Sequence, residues 1–218
     1  MMQGLRQGAV VGAVLMVLGL LLPVALPAGA DELASATSPT ATGEATANIG
    51  ETAAASAVPE PLGFRMDDYR SPTPASLSGA TVVDTAAAKR LFETKAAVFI
   101  DVLPRAPKPK GLPAGTVWHP KPRSDIPGSV WLVDTGYGAL PPAMEAYFRD
   151  GLARATGGDK TKPLLFYCLR DCWMSWNAAK RAVAAGYSGV LWYPEGTDGW
   201  TAAGLPLEPR EPEKRPDE

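Results

Sequence analysis

The stretch "PLLFYCLRDCWMSWNAAKRAVAAGY" (163–187) decides the reading of this chain. It opens on an apolar run, 163–168, with the character of a buried strand. A short turn follows that carries both cysteines of the sequence, Cys168 and Cys172, with Trp173 directly after the second. The stretch closes on a segment with Met174, Ala178, Ala182 and Ala185 on one helical stripe, stopped by Gly186. Strand, turn and helix follow one another within 25 residues. The thiols on that turn are open to four readings: a metal site, a disulfide, a sulfur-transferring nucleophile, or two small apolar residues.

Outward from this unit the same alternation repeats. "AAVFIDV" (96–102), "SVWLV" (129–133) and "GVLWY" (189–193) are apolar on both faces, as strands covered by helices on both sides are. A shorter run, "ATVVD" (80–84), precedes "TAAAKRLFETK" (85–95), a helix with Asp84 or Thr85 as its cap. "PPAMEAYFRDGLARATGG" (141–158) starts on proline, places Met144, Phe148 and Leu152 at helical spacing, and ends on glycine. Alternating strands and helices predict an α/β domain with a mainly parallel sheet flanked by helices. Ligands of such sheets bind at the carboxyl ends of the strands, and Cys168 sits at one.

The ends of the chain differ in composition. Arg6, the uncharged run "GAVVGAVLMVLGLLLPVALPAGA" and the small-x-small pattern Ala28-Gly29-Ala30 predict a secretory signal peptide over 1–30. Residues 31–60 are Ala, Thr, Ser, Gly and Pro with few large apolar side chains, and read as a disordered linker. The charged, Pro-rich tail 209–218 reads as solvated, which leaves one domain over 61–208. The expected location is the periplasm, with membrane contact only if the signal segment stays uncleaved. A net charge of −2 makes no case for nucleic acid as a partner.

Export changes the weight of the cysteine readings, because two nearby thiols pair in an oxidising compartment. Positions four apart on a curled loop come within the Cα–Cα range of a disulfide, about 4.4–6.8 Å. So small a ring gains little loop entropy, which favours a redox role over a staple. As metal ligands the two thiolates make half a site, because the chain has no third cysteine and one histidine, His119. Cu(I), held with Met174, is the version of that site the softness of the ligands allows. A second feature is the loop "PRAPKPKGLPAGTVWHPKPR" (104–123), which carries Arg105, Lys108, Lys110, Lys121 and Arg123 without an acidic residue. It reads either as a solvated Pro-rich loop or as a cationic lid for an anion.

Residues 163–208 resemble the second half of a rhodanese domain: a strand ending in Cys, a tight loop, an alanine-rich helix, a strand, then Gly196, Trp200, Gly204 and Pro206. Upstream, "VFIDV" with Asp101 and "DIPGSVWL", with Asp125 where that family has His, extend the resemblance to about 80–208. The chain is also similar to a narrower family of exported rhodanese-like proteins bearing Cys-x-x-x-Cys-Trp, associated with pyrroloquinoline quinone-dependent alcohol oxidation. The resemblance implies Cys168 as nucleophile in a cradle of backbone N–H groups at a helix N-terminus. Asp171 stands where that loop usually has Gly and Trp173 where it usually has Arg, which weakens sulfur transfer from an anionic donor. The implied function is a thiol–disulfide role in quinone-dependent alcohol catabolism. Cys172 is then the resolving thiol, Trp173 a pocket wall, and Arg170 the group that tunes the thiol. Pyrroloquinoline quinone or another redox cofactor is the implied ligand, and components of the alcohol dehydrogenase system are the implied partners. A non-catalytic cofactor- or partner-binding module and a sulfurtransferase are the alternatives.

Overall fold

A computed structural model describes residues 58–107 and 109–216. The segment read as a signal peptide, most of the linker, and Lys108 lie outside the described residues. The first strand, β1 (Thr81–Val82), leads into α1 (Thr85–Glu93), where Asp84 Oδ1 accepts the Ala87 N–H at 2.7 Å and so caps the helix. β2 (Val98–Asp101), β3 (Arg123–Asp125) and β4 (Val130–Trp131) follow. Next comes α2 (Pro142–Thr156), with proline in its first turn and Gly157 beyond its end at a left-handed φ of 69°. The quoted stretch forms β5 (Leu164–Tyr167) and α3 (Trp173–Ala184). β6 (Val190–Trp192), α4 (Gly196–Ala202) and β7 (Glu208–Arg210) complete the described elements.

Five strands form one sheet in the order β1-β6-β5-β2-β4, every pair parallel. β5 is central and all four of its residues are buried. Its side chains alternate between faces, as a strand's must. Leu164 and Phe166 pack with α2 and α3, while Leu165 and Tyr167 pack with Phe99 and Trp200 on the side of α1 and α4. Full burial of each such side chain stabilises the fold by roughly 1.5–3 kcal/mol. The sheet is therefore covered on both faces, and its carboxyl edge carries the loops after β2, β4, β5 and β6.

Two regions depart from the sequence expectation. The tail is docked rather than solvated: β7 pairs antiparallel with β3, the Glu213 N–H donates to Trp131 O at 2.9 Å, and Tyr147 OH donates to Glu213 O at 2.8 Å. Composition misled here because prolines at 209 and 212 suit an extended edge segment as well as a disordered one. At the other end, ordered structure begins inside the expected linker. Val58 packs on the core, and the Glu60 carboxylate accepts the Ser78 N–H at 2.7 Å. Residues 61–77 then run as an extended strap along α3.

Candidate functional site

β5 delivers Cys168 to the carboxyl edge, and the following turn brings Cys172 back to it. The two are joined by a disulfide with their Cα atoms 6.5 Å apart. Of the open readings, this is the one the fold realises. Both residues are buried, Cys168 completely and Cys172 with 2 % of its surface exposed. Asp171 closes the turn in the left-handed region, at φ 52°, a conformation that Asp tolerates better than most side chains and Gly best. The turn is held from α4: the Thr197 N–H donates to Cys168 O at 3.0 Å, and the Asp198 carboxylate accepts the Arg170 N–H at 2.9 Å. Gly196 permits this approach, since a Cβ there would lie 2.4 Å from Cys168 O. Arg170, expected to tune the thiol, is half exposed and directs its guanidinium to Glu195 at 3.9 Å.

α3 starts at Trp173, with Cys172 as its N-cap and no side-chain cap. Its positive end therefore adjoins the bridge and would favour a thiolate there. One N–H of that end already has a partner. The Trp173 N–H donates to Tyr69 O of the strap at 2.9 Å. Trp173 is not a pocket wall as expected, because the strap covers it. Its surface is 2 % exposed, its indole N–H donates to Ser71 Oγ and Pro72 O at 3.1 Å each, and the Arg65 guanidinium lies 5.2 Å from its ring centre. The same face of α3 continues the contact. Trp176 Nε1 donates to Ser76 O at 3.1 Å, Asn177 exchanges two 2.9 Å bonds with the Arg65 backbone, and Lys180 Nζ donates to Pro61 O at 3.2 Å.

The other predicted residues gather on the opposite side of the turn. Asp101, at the end of β2, and Asp125, at the end of β3, are fully buried. Arg123 Nε lies 2.8 Å from a carboxylate oxygen of each, and its single proton is donated to Asp101. Neither oxygen of Asp125 accepts a well-aligned hydrogen bond among the described residues. Burial first, and then the charge of Asp101, push the Asp125 carboxyl up to about 9, with Arg123 opposing. Burial and the Asp101 charge thus favour the protonated form of Asp125. Tyr167 joins the cluster, donating to Ser129 Oγ at 2.7 Å, and burial followed by the Asp101 charge pushes its phenol well above the ordinary value.

A cleft of about 540 Å³ opens beside this cluster. Arg105, Lys121 and Arg123 line it together with Asp198 and Thr201 of α4, and Leu169 of the cysteine turn and Leu207 supply apolar wall. Trp131 is the indole in this cleft, fixed by donation from its Nε1 to Leu103 O at 2.7 Å. The cationic residues and Trp173 are thus not brought together. Trp173 lies under the strap, whereas the cationic residues line a cleft shared with Leu169 of the cysteine turn and with α4. Lys110 is exposed on the loop. Sequence reasoning missed the strap. Its signal was a stripe of Trp173, Trp176, Asn177 and Lys180 at helical spacing on a face that the sheet does not cover.

Residues 84–203, more than half of the chain, match the family model described as the rhodanese-like domain. No curated protein matches. Similar solved structures include a protein of unknown function and possible tyrosine phosphatase from Rhodopseudomonas palustris, 23% identical over 60% of this chain and 86% of that one, with a TM-score of 0.40. A polysulfide-sulfur transferase homodimer from Wolinella succinogenes is 20% identical over 62% of this chain and 82% of its own, with a TM-score of 0.39. A rhodanese-like domain from Anabaena is 19% identical over 62% and 87%, with a TM-score of 0.38.

Proposed function

The chain belongs to the rhodanese-like family, and from that premise we propose that it is an exported thiol–disulfide accessory protein in which sulfur transfer has given way to a cysteine pair. The observation that carries this reading is the bridge itself. Cys168 stands where the family resemblance puts the nucleophile, and its sulfur is bonded to Cys172. A bridged sulfur has no thiolate to offer a sulfane donor. In the exchange we envisage, the thiolate of a donor dithiol attacks Cys168 Sγ and breaks the S–S bond. The electron pair leaves on Cys172 Sγ, at the N-cap and positive end of α3. The donor's second thiol then displaces Cys168 from the mixed disulfide. Two electrons and two protons pass to the protein, and the donor departs as a disulfide. In the reverse direction Cys168 is the nucleophile and Cys172 the resolving thiol.

The Cys-x-x-x-Cys-Trp resemblance supports placing this exchange in pyrroloquinoline quinone-dependent alcohol oxidation, with a component of the dehydrogenase system as redox partner. Thiol counting on protein from its native compartment, with equilibration against dithiol buffers, tests the chemistry. A bridge that interconverts with the dithiol in the folded protein is the expected result. A bridge that yields only on unfolding removes the redox reading. In cells that oxidise alcohols through such dehydrogenases, a Cys168→Ser/Cys172→Ser replacement should lower alcohol-dependent oxygen uptake. Unchanged uptake would remove that setting.

The basic cleft favours a second reading, a non-catalytic module that binds an anionic cofactor. Here Arg105, Lys121 and Arg123 meet the charge and Trp131 lies beside the ring. Titration with pyrroloquinoline quinone at low and high salt distinguishes the two. Under the module reading, salt-sensitive binding survives the double serine replacement.

A further inference from the structure

We propose that residues 61–77 are a latch over the disulfide, and that latch docking and the redox state of Cys168 and Cys172 are thermodynamically linked; this rests on the bridge being exchanged. Three observations combine. The bridge is buried, and an attacking thiolate needs a line of approach along the S–S axis that no exposed surface of either cysteine provides. The strap covers the start of α3, the residue after Cys172. The bonds that hold it come from a stripe of Trp173, Trp176, Asn177 and Lys180, each directed at strap backbone, with Ser71 Oγ sharing the Trp173 indole N–H.

The position of Tyr69 O gives the linkage its sign. A free helix N-terminus lowers the free energy of a nearby thiolate. The docked strap places a carbonyl oxygen, the negative end of a peptide dipole, on the Trp173 N–H at 2.9 Å. Docking therefore disfavours the thiolate that reduction creates and favours the bridge. Release exposes the sulfurs and restores the helix field, so an undocked strap makes the bridge faster and easier to reduce. Linkage is reciprocal, so reduction must weaken docking by the same factor. Trp173 is on this view a positioning residue, acting on the cysteines through the strap.

The test uses the full-length protein. Arg65→Ala with Lys180→Ala removes the cation over Trp173, the cation 4.7 Å from the Trp176 ring centre and the bond to Pro61, while sparing the core. Trp173→Phe removes the indole donor. Leu91→Ala, on α1 across the sheet, serves as a control for stability loss alone. The readouts are the rate of bridge reduction by dithiothreitol, the equilibrium with it, and hydrogen exchange of the Trp173 amide. Removing both cations should release the strap about 5- to 30-fold more often, by the cation–π scale. The double variant should then show faster Trp173 exchange, faster reduction by the same factor, and a shift of the equilibrium toward dithiol. Reduced wild-type protein should show faster Trp173 exchange than the oxidised form, and Leu91→Ala should change none of these. Faster exchange with unchanged reduction rate and equilibrium would overturn the latch and leave the redox reading standing. A bridge that resists dithiothreitol in every folded variant would overturn both.

Discussion

Replacing Asp125 by Asn should flatten the pH dependence of stability. Asp125 is fully buried, and its neighbour Arg123 gives its Nε proton to Asp101. Burial and the charge of Asp101 raise the Asp125 pKa from the ordinary 3.8 to about 9. The folded protein thus holds a proton at neutral pH that the unfolded chain has released. The stability tied to that proton is whole below the unfolded value. It declines as pH rises and is gone once pH passes about 9. One proton sets the slope at about 1.4 kcal/mol per pH unit, so a rise from pH 6 to pH 8 removes about 2.7 kcal/mol. Asn keeps the neutral shape, offers an N–H to Asp101, and does not titrate. The assay is urea unfolding of the oxidised protein at intervals from pH 5 to pH 8, followed by tryptophan fluorescence. Wild type should lose stability relative to Asp125→Asn by about 1.4 kcal/mol for each pH unit, whatever constant offset separates the two. Parallel curves would mean that Asp125 is ionised across this range, and would refute the account of Asp125 as the protonated carboxyl of the cluster.

Three further outcomes follow from the same geometry. Thiosulfate:cyanide sulfur transfer should be absent from the oxidised protein, and Cys172→Ser should restore little of it, because Tyr69 O still occupies the helix N-terminus; thiocyanate formation measures this. Gly196→Ala puts a Cβ against Cys168 O at a φ of 52°, and should cost at least about 2 kcal/mol, a fall of roughly 4–8 °C in melting temperature. Truncation after Leu207 removes the β7 partner of β3 and the Glu208 carboxylate that accepts the Gly128 N–H at 2.8 Å; with water nearer Arg123 and Asp125, the truncated protein should show a shallower pH slope in the urea titration.

The central strands of the sheet were legible because they are buried on both faces: β5 is buried throughout and β2 from Phe99 to Asp101. The helices between the strands carry caps and glycine stops that local chemistry dictates. Short elements were not legible. β3 is the polar triplet Arg123-Ser124-Asp125, and its strand character comes only from pairing with Arg210, Pro209 and Glu208. The apolar run 129–133 shrinks to Val130 and Trp131 for a related reason: Leu132 and Val133 are buried beyond the last sheet pairing, and Asp134 turns the chain at a φ of 62°. Hydrophobicity reports burial in both cases, and burial is not the same as a ladder of hydrogen bonds.

Within the site, the cysteine pair was readable from spacing and compartment, whereas the role of Trp173 was not. An indole after an active loop suggests a stacking surface, and nothing local says that its face is taken. The occupant comes from about a hundred residues upstream, out of a segment whose composition gave little reason to expect docking. Its side chains matter less than its backbone. Tyr69, Pro72, Ser76 and Pro61 are all bound through carbonyl oxygens, which any sequence supplies. The information for docking therefore lies on α3, in Trp173, Trp176, Asn177 and Lys180, and these residues look like a mixed surface until a partner is supplied. The consequence for chemistry is a division of the carboxyl edge. Cations gathered by the loop after β2 line the cleft with residues of α4, and the bridge lies on the turn that ends at Trp173, which the strap covers. A ligand in the cleft touches Leu169 rather than sulfur. Any influence of such a ligand on the bridge must pass through the turn 168–172, whose backbone α4 holds at Thr197 and Asp198.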